Sequence, residues 1–291
     1  MHTLLTQETP FKAAMRAQWN AAAAGWNAHS APIRDWLNLP TEAMCRMAGV
    51  TTGSRVLDVA AGAGEQTLAI AKLVGPGGHV LATDLSPTIV ALAQDNLQRA
   101  GFANVETRVA DGEDLQVAAS SFDAAVCRLG LMFFADPLQG LREMHRALQP
   151  GGGACTLVFS RPEKNPCLTI LMSTALRHAG LPAGDPFAPG GLLSLGRPGH
   201  LDGLFRSAGF HDVATTAIDA AFRMPSVDDY LRFVRSSASP IVDLLRHLDP
   251  AAADAAWAEM RHRLDVFSTR EGWVGPNELL LTAGRRPLEA S

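Results

Sequence analysis

The chain has 291 residues, of which 47% are hydrophobic and 19% are charged. This composition is typical of a globular protein with a large core, and the length fits one α/β domain with added helices. The net charge of −4 and the scattered Lys and Arg residues argue against a nucleic-acid-binding surface. No apolar stretch is long enough to span a membrane and the N-terminus is unlike a leader. We therefore expect a cytoplasmic protein.

The first predicted element is an alanine-rich helical segment over residues 10–50. An apolar stripe on one helix face is formed by residues spaced four, three and four apart, namely Met15, Trp19, Ala22 and Trp26. Such a stripe usually packs against a core, and a place in a pocket wall is the alternative. The pattern breaks at residues 38–40, so Thr41 is predicted to cap a second helix.

Strand and helix patterns then alternate along the chain. The predicted strands are 55–60, 79–84, 105–110, 123–128 and 154–159. The predicted helices between them are 65–74, 87–100 and 137–148. Alternation of this kind is typical of a parallel sheet with helices on both faces, and ligands then bind at the carboxyl ends of the strands.

The last third of the chain has a different texture. We predict, in order, a helix over 167–181, a Pro/Gly-rich lid loop over 182–199, a helix over 199–208, a strand over 213–218, a helical stretch over 226–268 and a closing strand over 278–284. The fold class is thus α/β, with a Rossmann-like, seven-stranded, mostly parallel sheet. We divide it into an N-terminal helical lid (1–50), a cofactor-binding core (51–160) and substrate-side additions (161–291). A homodimer through apolar faces of 226–268 is left open.

A glycine loop between the first strand and its helix is the most informative motif, VLDVAAGAGEQT over residues 56–67. Gly62 and Gly64 have no Cβ, so a ligand can approach the backbone closely, and the amides at the start of the helix face it. Asp84 ends the second strand, 84 − 64 = 20 residues beyond Gly64, where an acid can accept hydrogen bonds from ribose hydroxyls. These features predict a nucleoside cofactor, either a nicotinamide dinucleotide or S-adenosylmethionine.

Four further motifs favour S-adenosylmethionine. They are ATDLSP (82–87), VADGEDL (109–115), SFDAAVCRLGLMFFADP (121–137) and ALQPGGG (147–153). In this order, and with the glycine loop, they resemble the class I S-adenosylmethionine-dependent methyltransferases over about residues 50–160. The nearest subgroup resembles quinone-biosynthesis methyltransferases. Ala60 stands where that family often has its first glycine, a departure that subgroup members tolerate.

The resemblance implies a set of cofactor-binding residues, with S-adenosylhomocysteine as the product. They are Ala60, Gly62, Gly64, Gln66, Asp84, Leu85, Asp111, Gly112, Glu113 and Arg128. Within this set Asp84 would bind the ribose and Asp111 the adenine amine. Asp58 is interpreted as a brace for the loop, and Arg128 as a ligand of the methionine carboxylate or of the substrate, unless it pairs with a nearby acid.

The acceptor side carries less sequence information. Candidate pocket residues are Trp19, Trp26, Met132, Phe133 and His178, and His29 and Arg128 are the candidate catalytic residues, His29 as a base. The four cysteines and nine histidines form no metal-binding motif, so no metal is predicted. The pocket predicts methyl transfer by in-line displacement to a small, largely apolar or aromatic acceptor. One alternative is a methyltransferase-like enzyme of lyase, isomerase or dehalogenase type that does not transfer methyl. A nicotinamide-dependent oxidoreductase is a second alternative, which the later motifs disfavour. A non-catalytic partner protein is the third.

Overall fold

A seven-stranded sheet forms the centre of the computed structural model, which describes residues 9–237 and 239–288. The strands of the whole structure are β1 (Arg55–Val59), β2 (His79–Asp84), β3 (Val105–Val109), β4 (Phe122–Arg128), β5 (Leu148–Phe159), β6 (His211–Asp219), β7 (Phe222–Met224), β8 (Ser268–Thr269), β9 (Gly272–Gly275) and β10 (Glu278–Arg285). The order in the main sheet is β3–β2–β1–β4–β5–β10–β6. β10 pairs antiparallel with both β5 and β6, and the other pairs are parallel. The predicted fold class is confirmed.

Helices cover the sheet and its carboxyl edge. They are α1 (Pro10–Ala28), α2 (Ser30–Ala48), α3 (Glu65–Val74), α4 (Pro87–Arg99), α5 (Pro137–Ala147), α6 (Pro166–His178), α7 (His200–Ser207), α8 (Val227–Ser237), α9 (Ser239–Leu245) and α10 (Pro250–Leu264). Strand β1 is buried from Val56 onward, because helices and neighbouring strands enclose it. Ser86 caps α4, since its Oγ accepts a hydrogen bond from the Ile89 amide at 3.1 Å.

The N-terminal segment divides at His29 rather than at residues 38–40. Helix α2 continues through Pro40, and Thr41 lies inside it with its hydroxyl donating to the Leu37 carbonyl at 2.7 Å. The predicted N-cap at Thr41 is therefore wrong. Leu37 and Pro40 are both buried. We attribute the continuous helix to this packing, because it offsets the cost of the backbone hydrogen bond that is lost at proline.

The stretch predicted to be helical over 226–268 is helical through Phe267, in α8, α9, α10 and a 3₁₀ helix over Asp265–Phe267. Beyond this stretch, β8 and β9 pair with β7 in a second, antiparallel sheet that the sequence did not predict. Gly272 makes this hairpin at a φ of 128°, a conformation that residues with a Cβ rarely adopt. The short strands carry too few alternating residues to distinguish them from a helix end by periodicity.

The apolar faces of this C-terminal region are covered within the chain. Helix α8 buries Val227, Leu231 and Val234 and packs against α1, while α10 packs against α6. The surface that was predicted to form a homodimer interface is therefore occupied within the chain. A homodimer through another surface stays a prediction. Within the described ranges, no helix has the length and apolar character needed to cross a membrane.

Candidate active site

A cavity of about 560 Å³ lies at the carboxyl edge of the sheet. Its volume falls within the range of small-molecule sites. It is lined by the glycine loop, by the ends of β2 and β4, and by side chains of α1, α2, α6, α8 and α9. One continuous space therefore joins the predicted cofactor loop to the N-terminal helices that were predicted to form a lid.

The glycine loop has the backbone that its sequence predicts. Gly62 and Gly64 adopt φ values of 60° and 86°, in the left-handed region that glycine occupies without steric cost. Ala60 adopts a φ of 55° in the same region, so alanine is accommodated where the family often has glycine, at a steric cost. Gly130 lies so close that a Cβ added there would be 2.3 Å from the Ala60 Cβ. The end of β4 thus packs directly against the loop.

Asp58 braces the loop from inside the core, as interpreted from the sequence. Its carboxylate is fully buried and accepts hydrogen bonds from the Gln66 amide and from the Thr67 hydroxyl, the latter at 2.7 Å. Burial raises the pKa of Asp58 to about 7, opposed by these two hydrogen bonds. Gln66 lines the cavity, but its amide group is held by Asp58. The structure therefore gives Gln66 a supporting position beside the predicted cofactor site.

Asp84 lies at the cavity wall with a free side toward the ligand space. Its Oδ2 accepts from the Gly62 amide at 3.1 Å and its Oδ1 from the Ser86 amide at 3.0 Å. Each carboxylate oxygen has a second lone pair, so both can also accept a hydroxyl hydrogen. Burial raises the pKa of Asp84 to about 6, and the backbone hydrogen bonds from Ser86 and Gly62 partly oppose this. Leu85 lines the cavity beside it.

The predicted adenine site is tied to α1 by a lysine that sequence reasoning missed. Lys12 Nζ lies 2.5 Å from an Asp111 carboxylate oxygen and 2.7 Å from one of Glu113. Ala110 and Gly112 line the cavity, whereas Asp111 and Glu113 do not. The acidic turn therefore anchors α1 in this structure, and its backbone rather than its carboxylates borders the cavity.

Arg128 has the acidic partner that the sequence left as an alternative. Its guanidinium lies 2.7 Å from the Glu65 carboxylate and donates to the Thr41 hydroxyl at 2.8 Å. The Arg128 side chain is only 8% exposed, and both members of the pair line the cavity. This ion pair thus presents a positive and a negative group to the cavity, in addition to the Asp84 carboxylate.

The rest of the cavity wall is largely aromatic. The predicted pocket residues Trp19, Trp26, Met132 and Phe133 all line it, with the Trp19 and Phe133 rings 5.0 Å apart edge to face. Sequence reasoning missed a second group, which consists of Trp36, Phe159, Phe222, Tyr230, Phe233 and Asn277. These residues come from separate elements and form no motif, so only the tertiary fold brings them together.

Two predicted histidines lie outside the cavity. His29 Nδ1 is 2.8 Å from the Gly25 carbonyl oxygen, and His178 Nε2 is 3.0 Å from a Glu259 carboxylate oxygen. Neither lines the cavity, and no other histidine does so among the described residues. The structure therefore does not bring the predicted base or the predicted pocket histidine to the site. It also holds, within the described ranges, no cluster of side chains able to bind a metal ion.

Comparison with known proteins gives a family match for the central segment of the chain. Residues 35–174 match the model of the ubiE/COQ5 methyltransferase family. The ubiquinone/menaquinone biosynthesis C-methyltransferase UbiE of Hahella chejuensis is 38% identical over 115 residues, which are 39% of this chain and 46% of that protein. The chain thus spans about half the length of the curated relatives it matches.

Solved structures share the fold at low sequence identity. The YcgJ protein of Bacillus subtilis has a TM-score of 0.57 at 19% identity, covering 86% of this chain and 99% of its own. The [4+2]-cyclase SpnF has a TM-score of 0.54 at 19% identity, and the alignment covers 92% of this chain and 96% of the SpnF chain. Both likenesses concern the fold alone. The matched residues 35–174 carry the glycine loop and Asp84, and the resemblance predicted from the sequence is confirmed.

Proposed function

We propose that this chain is an S-adenosylmethionine-dependent methyltransferase that moves a methyl group to a small, largely apolar or aromatic acceptor and releases S-adenosylhomocysteine. The observation that carries the proposal is the single cavity that joins the glycine loop and Asp84 to an aromatic wall. The chemistry at each end fits one of the two substrates. We further propose that the protein is cytoplasmic. We also propose that the chain divides after residues 50 and 160 into the three parts predicted from the sequence.

The residues present fit the cofactor at three points. The left-handed backbone at Gly62 and Gly64 leaves room beside the loop, because a Cβ at Gly62 would meet nothing within 4 Å. Asp84 would accept hydrogen bonds from the ribose hydroxyls. Arg128 and Glu65 together match the carboxylate and the ammonium of the methionine moiety. When bound, the cofactor supplies an electrophilic methyl group on a sulfonium.

The protein's own contribution is alignment in a dry pocket. Helices α1 and α2 supply part of the wall, and α1 is joined to the core through Lys12 and through Asn20, whose side-chain oxygen accepts from the Ser86 hydroxyl at 2.5 Å. Holding the two reactants in line lowers the barrier by roughly 7–11 kcal/mol without a protein base. The aromatic rings of Trp19 and Phe133 restrict the orientation of a flat acceptor.

A reaction without methyl transfer is the second candidate. Its support is the shared fold with a protein that is described as a [4+2]-cyclase, together with a cavity wall in which the described residues include no histidine, lysine or cysteine. The two candidates differ in one product. Methyl transfer releases one S-adenosylhomocysteine for each product molecule, whereas a cofactor that only shapes or charges the pocket is recovered unchanged.

The proposal is tested by calorimetric titration of the purified chain with S-adenosylmethionine and S-adenosylhomocysteine. Micromolar binding of both is expected, and a panel of aromatic acceptors is then screened by following S-adenosylhomocysteine release. Absence of binding to either ligand contradicts the proposal. Binding with product formation but no S-adenosylhomocysteine selects the second candidate.

Replacing His29 tests the assignment of the base. We expect His29→Gln to leave kcat within about twofold of the wild-type value, because the ring lies outside the cavity and a positioned base contributes roughly 10²–10⁴-fold. Turnover is measured by S-adenosylhomocysteine release with any acceptor that the screen identifies. A hundredfold loss of kcat with unchanged cofactor affinity would show that His29 enters the site after all.

The affinity for the cofactor should depend on pH through Asp84. The pKa of this carboxyl is raised to about 6, so it gains a proton as the pH falls through 6 and accepts hydroxyl hydrogens less well. Affinity for S-adenosylhomocysteine should be complete above pH 7 and about tenfold lower at pH 5. Calorimetry at several pH values checks this. Asp84→Asn should flatten the profile, and a decline that survives in that variant would point to Asp58 instead.

A further inference from the structure

Helix α1 lies across the cavity and is attached to a different part of the fold at each end. Four of its side chains line the cavity, namely Met15, Trp19, Ala23 and Trp26. One end packs against the carboxyl end of α8 at Gly25, and the other reaches the acidic turn after β3 (residues 111–114) at Lys12. These attachments are 25 − 12 = 13 residues apart, or about 20 Å along a helix. Helix α1 thus bridges the cavity between α8 and the acidic turn.

The attachment at Gly25 is uncharged and leaves no space between the two helices. A Cβ added to Gly25 would lie 1.8 Å from the Ser236 carbonyl oxygen, so the two backbones are in direct contact. The neighbouring Trp26 Nε1 donates a hydrogen bond to the Ser237 carbonyl oxygen at 2.9 Å. The Trp26 ring also makes a T-shaped contact with Phe233, with centroids 5.7 Å apart. This end of α1 is therefore held by packing and a neutral hydrogen bond, neither of which salt screens.

The attachment at Lys12 is an ion pair that water reaches. Lys12 Nζ lies 2.5 Å from Asp111 and 2.7 Å from Glu113, and the exposed fractions of the three side chains are 19%, 30% and 10%. Burial lowers the pKa of Lys12, but the two carboxylates outweigh this effect and raise it above its usual value, so the amine is protonated at neutral pH. Charge-assisted hydrogen bonds are roughly twice as strong as neutral ones, and salt screens them where water has access. This end of α1 is therefore held firmly at low salt and less firmly at high salt.

Both carboxylates of the acidic turn have partners besides Lys12. Glu113 Oε1 accepts hydrogen bonds from the Ala135 and Asp136 amides at 2.8 and 3.1 Å. Asp111 Oδ1 accepts from the Glu113 amide at 2.9 Å. Lys12 contacts the other oxygen of each carboxylate. Separation of Lys12 therefore breaks its own contacts and leaves the acidic turn in place.

A neutral contact lies between the two ends of α1. The Asn20 side-chain oxygen accepts a hydrogen bond from Ser86 Oγ at 2.5 Å, and the Ser86 amide in turn donates to Asp84 at 3.0 Å. This contact would also break if the first half of α1 moved. Because it is neutral and the Lys12 contacts are charged, we expect Lys12 to determine how often this half separates from the core.

We propose that α1 is a gate for the cofactor, fixed at Gly25 and held closed by Lys12. S-adenosylmethionine enters, and S-adenosylhomocysteine leaves, when Lys12 separates from the acidic turn and the first half of α1 moves away from it. The opening lies beside Ala110 and Gly112, which line the cavity at the predicted adenine site. This inference rests on the proposed function for the identity of the ligand.

Lys12→Met tests the gate through the rates of S-adenosylhomocysteine binding and release. A contact that breaks alike in the free and the loaded protein changes both rates by one factor and leaves Kd unchanged. We therefore expect both rates to rise at least about tenfold, with Kd within about twofold of the wild-type value. Stopped-flow tryptophan fluorescence measures them, since Trp19 and Trp26 of α1 line the cavity. Unchanged rates, or a faster release matched by an equal loss of affinity, overturn the inference.

Lys164→Met is the matched control, because this lysine pairs with Glu278 at the start of β10, at 3.9 Å. Both rates should be unchanged in this variant. Raising NaCl from about 0.05 to about 0.5 M should increase both rates about threefold in the wild-type chain and in the control, but hardly at all in Lys12→Met. A wild-type chain without this salt dependence contradicts the role of the ion pair.

Hydrogen exchange of the unloaded protein tests the fixed end without any ligand. In Lys12→Met, the amides of α1 before residue 20 should exchange about tenfold faster than in the wild-type chain. The amides after Gly25 should keep the wild-type rate, because their attachment to α8 is unchanged. Equal loss of protection along the whole helix would contradict the fixed end.

The two proposals fail separately in this design. Calorimetric titration with S-adenosylhomocysteine tests the proposed function, and hydrogen exchange tests the movement of α1. A chain that binds the cofactor, but with rates that Lys12→Met does not change, retains the proposed function and loses this inference. A chain in which α1 moves as expected but no cofactor binds keeps the hinged helix. It loses the proposed function and, with it, the cofactor as the ligand that the gate admits.

Discussion

Asp84→Ala is expected to weaken binding of S-adenosylmethionine by at least about a hundredfold, since each hydrogen bond to a charged group contributes roughly 1.5–3 kcal/mol. The carboxylate would serve two ribose hydroxyls while it also holds the Gly62 and Ser86 amides at 3.1 and 3.0 Å. Its loss therefore removes ligand contacts and loosens the loop at once. Calorimetric titration of the variant beside the wild-type chain measures the effect directly.

Two further variants show whether the loss is specific to this carboxylate. Asp84→Asn keeps the shape and one acceptor oxygen, so it should lie between the wild-type chain and Asp84→Ala. Asp95→Ala removes an exposed carboxylate in the middle of α4 and should leave the affinity unchanged. Wild-type affinity in Asp84→Ala, with an unchanged melting temperature, would contradict the assignment of Asp84 to the ribose.

The cofactor half of the site could be predicted because its residues are close in sequence and have particular backbone requirements. The loop needs glycine at positions of positive φ, and Asp84 must stand at the end of the neighbouring strand. These requirements are visible as spacing in the sequence. The brace by Asp58 was also predictable in kind, and the structure identifies its partners as the side chains of Gln66 and Thr67.

The acceptor half could not be predicted in this way. Tyr230 and Asn277 are 47 residues apart in sequence (277 − 230), and the cavity also takes Trp36 and Phe159 from distant elements. No local rule connects such residues, since their meeting depends on how α2, α8 and the start of β10 pack together. For the same reason the partner of Asp111 could not be identified, because Lys12 is 99 residues away.

The structure does not bring the two predicted histidines to the cavity wall, for a related physical reason. His29 is as close in sequence to the site as Trp26 is, but it is the C-cap of α1, with a φ of −103° and a ψ of 22°, so the regular i, i+3 relation of a helix no longer sets the direction of its side chain. Trp26 faces the cavity, whereas His29 follows the last residue of α1 and contacts the Gly25 carbonyl one turn back. Chain proximity therefore indicated the correct region but not which side chains enter it.

Gly130→Ala should damage both stability and cofactor binding by pressing on the glycine loop. The φ of Gly130 is −103°, which any residue adopts, so the requirement for glycine at this position is spatial. The new Cβ would lie 2.3 Å from the Ala60 Cβ and 3.1 Å from the Cys127 sulfur. Overpacking of this kind costs about 1–3 kcal/mol of the free energy of unfolding. Displacement of the loop should also lower S-adenosylhomocysteine affinity by at least about tenfold.

Combining Gly130→Ala with Ala60→Gly should restore most of the lost stability and cofactor affinity. Ala60→Gly removes the methyl group that the new side chain would strike, and the next atom of Ala60 lies 3.8 Å from the added Cβ. Glycine also tolerates the φ of 55° without the cost of roughly 1–2 kcal/mol that an L-residue incurs in this region. We therefore expect the free energy of unfolding of the double variant to be at least about 1 kcal/mol higher than the value obtained by adding the two single effects.

Urea unfolding and S-adenosylhomocysteine titration of the four proteins, namely wild type, both single variants and the double variant, complete the cycle. Coupling in both measurements would show that the contact between β4 and the loop sets the shape of the cofactor site. Strictly additive effects, or full loss of binding in Ala60→Gly alone, would contradict that contact. Full loss of binding in Ala60→Gly would mean that the cofactor site requires the alanine methyl group itself.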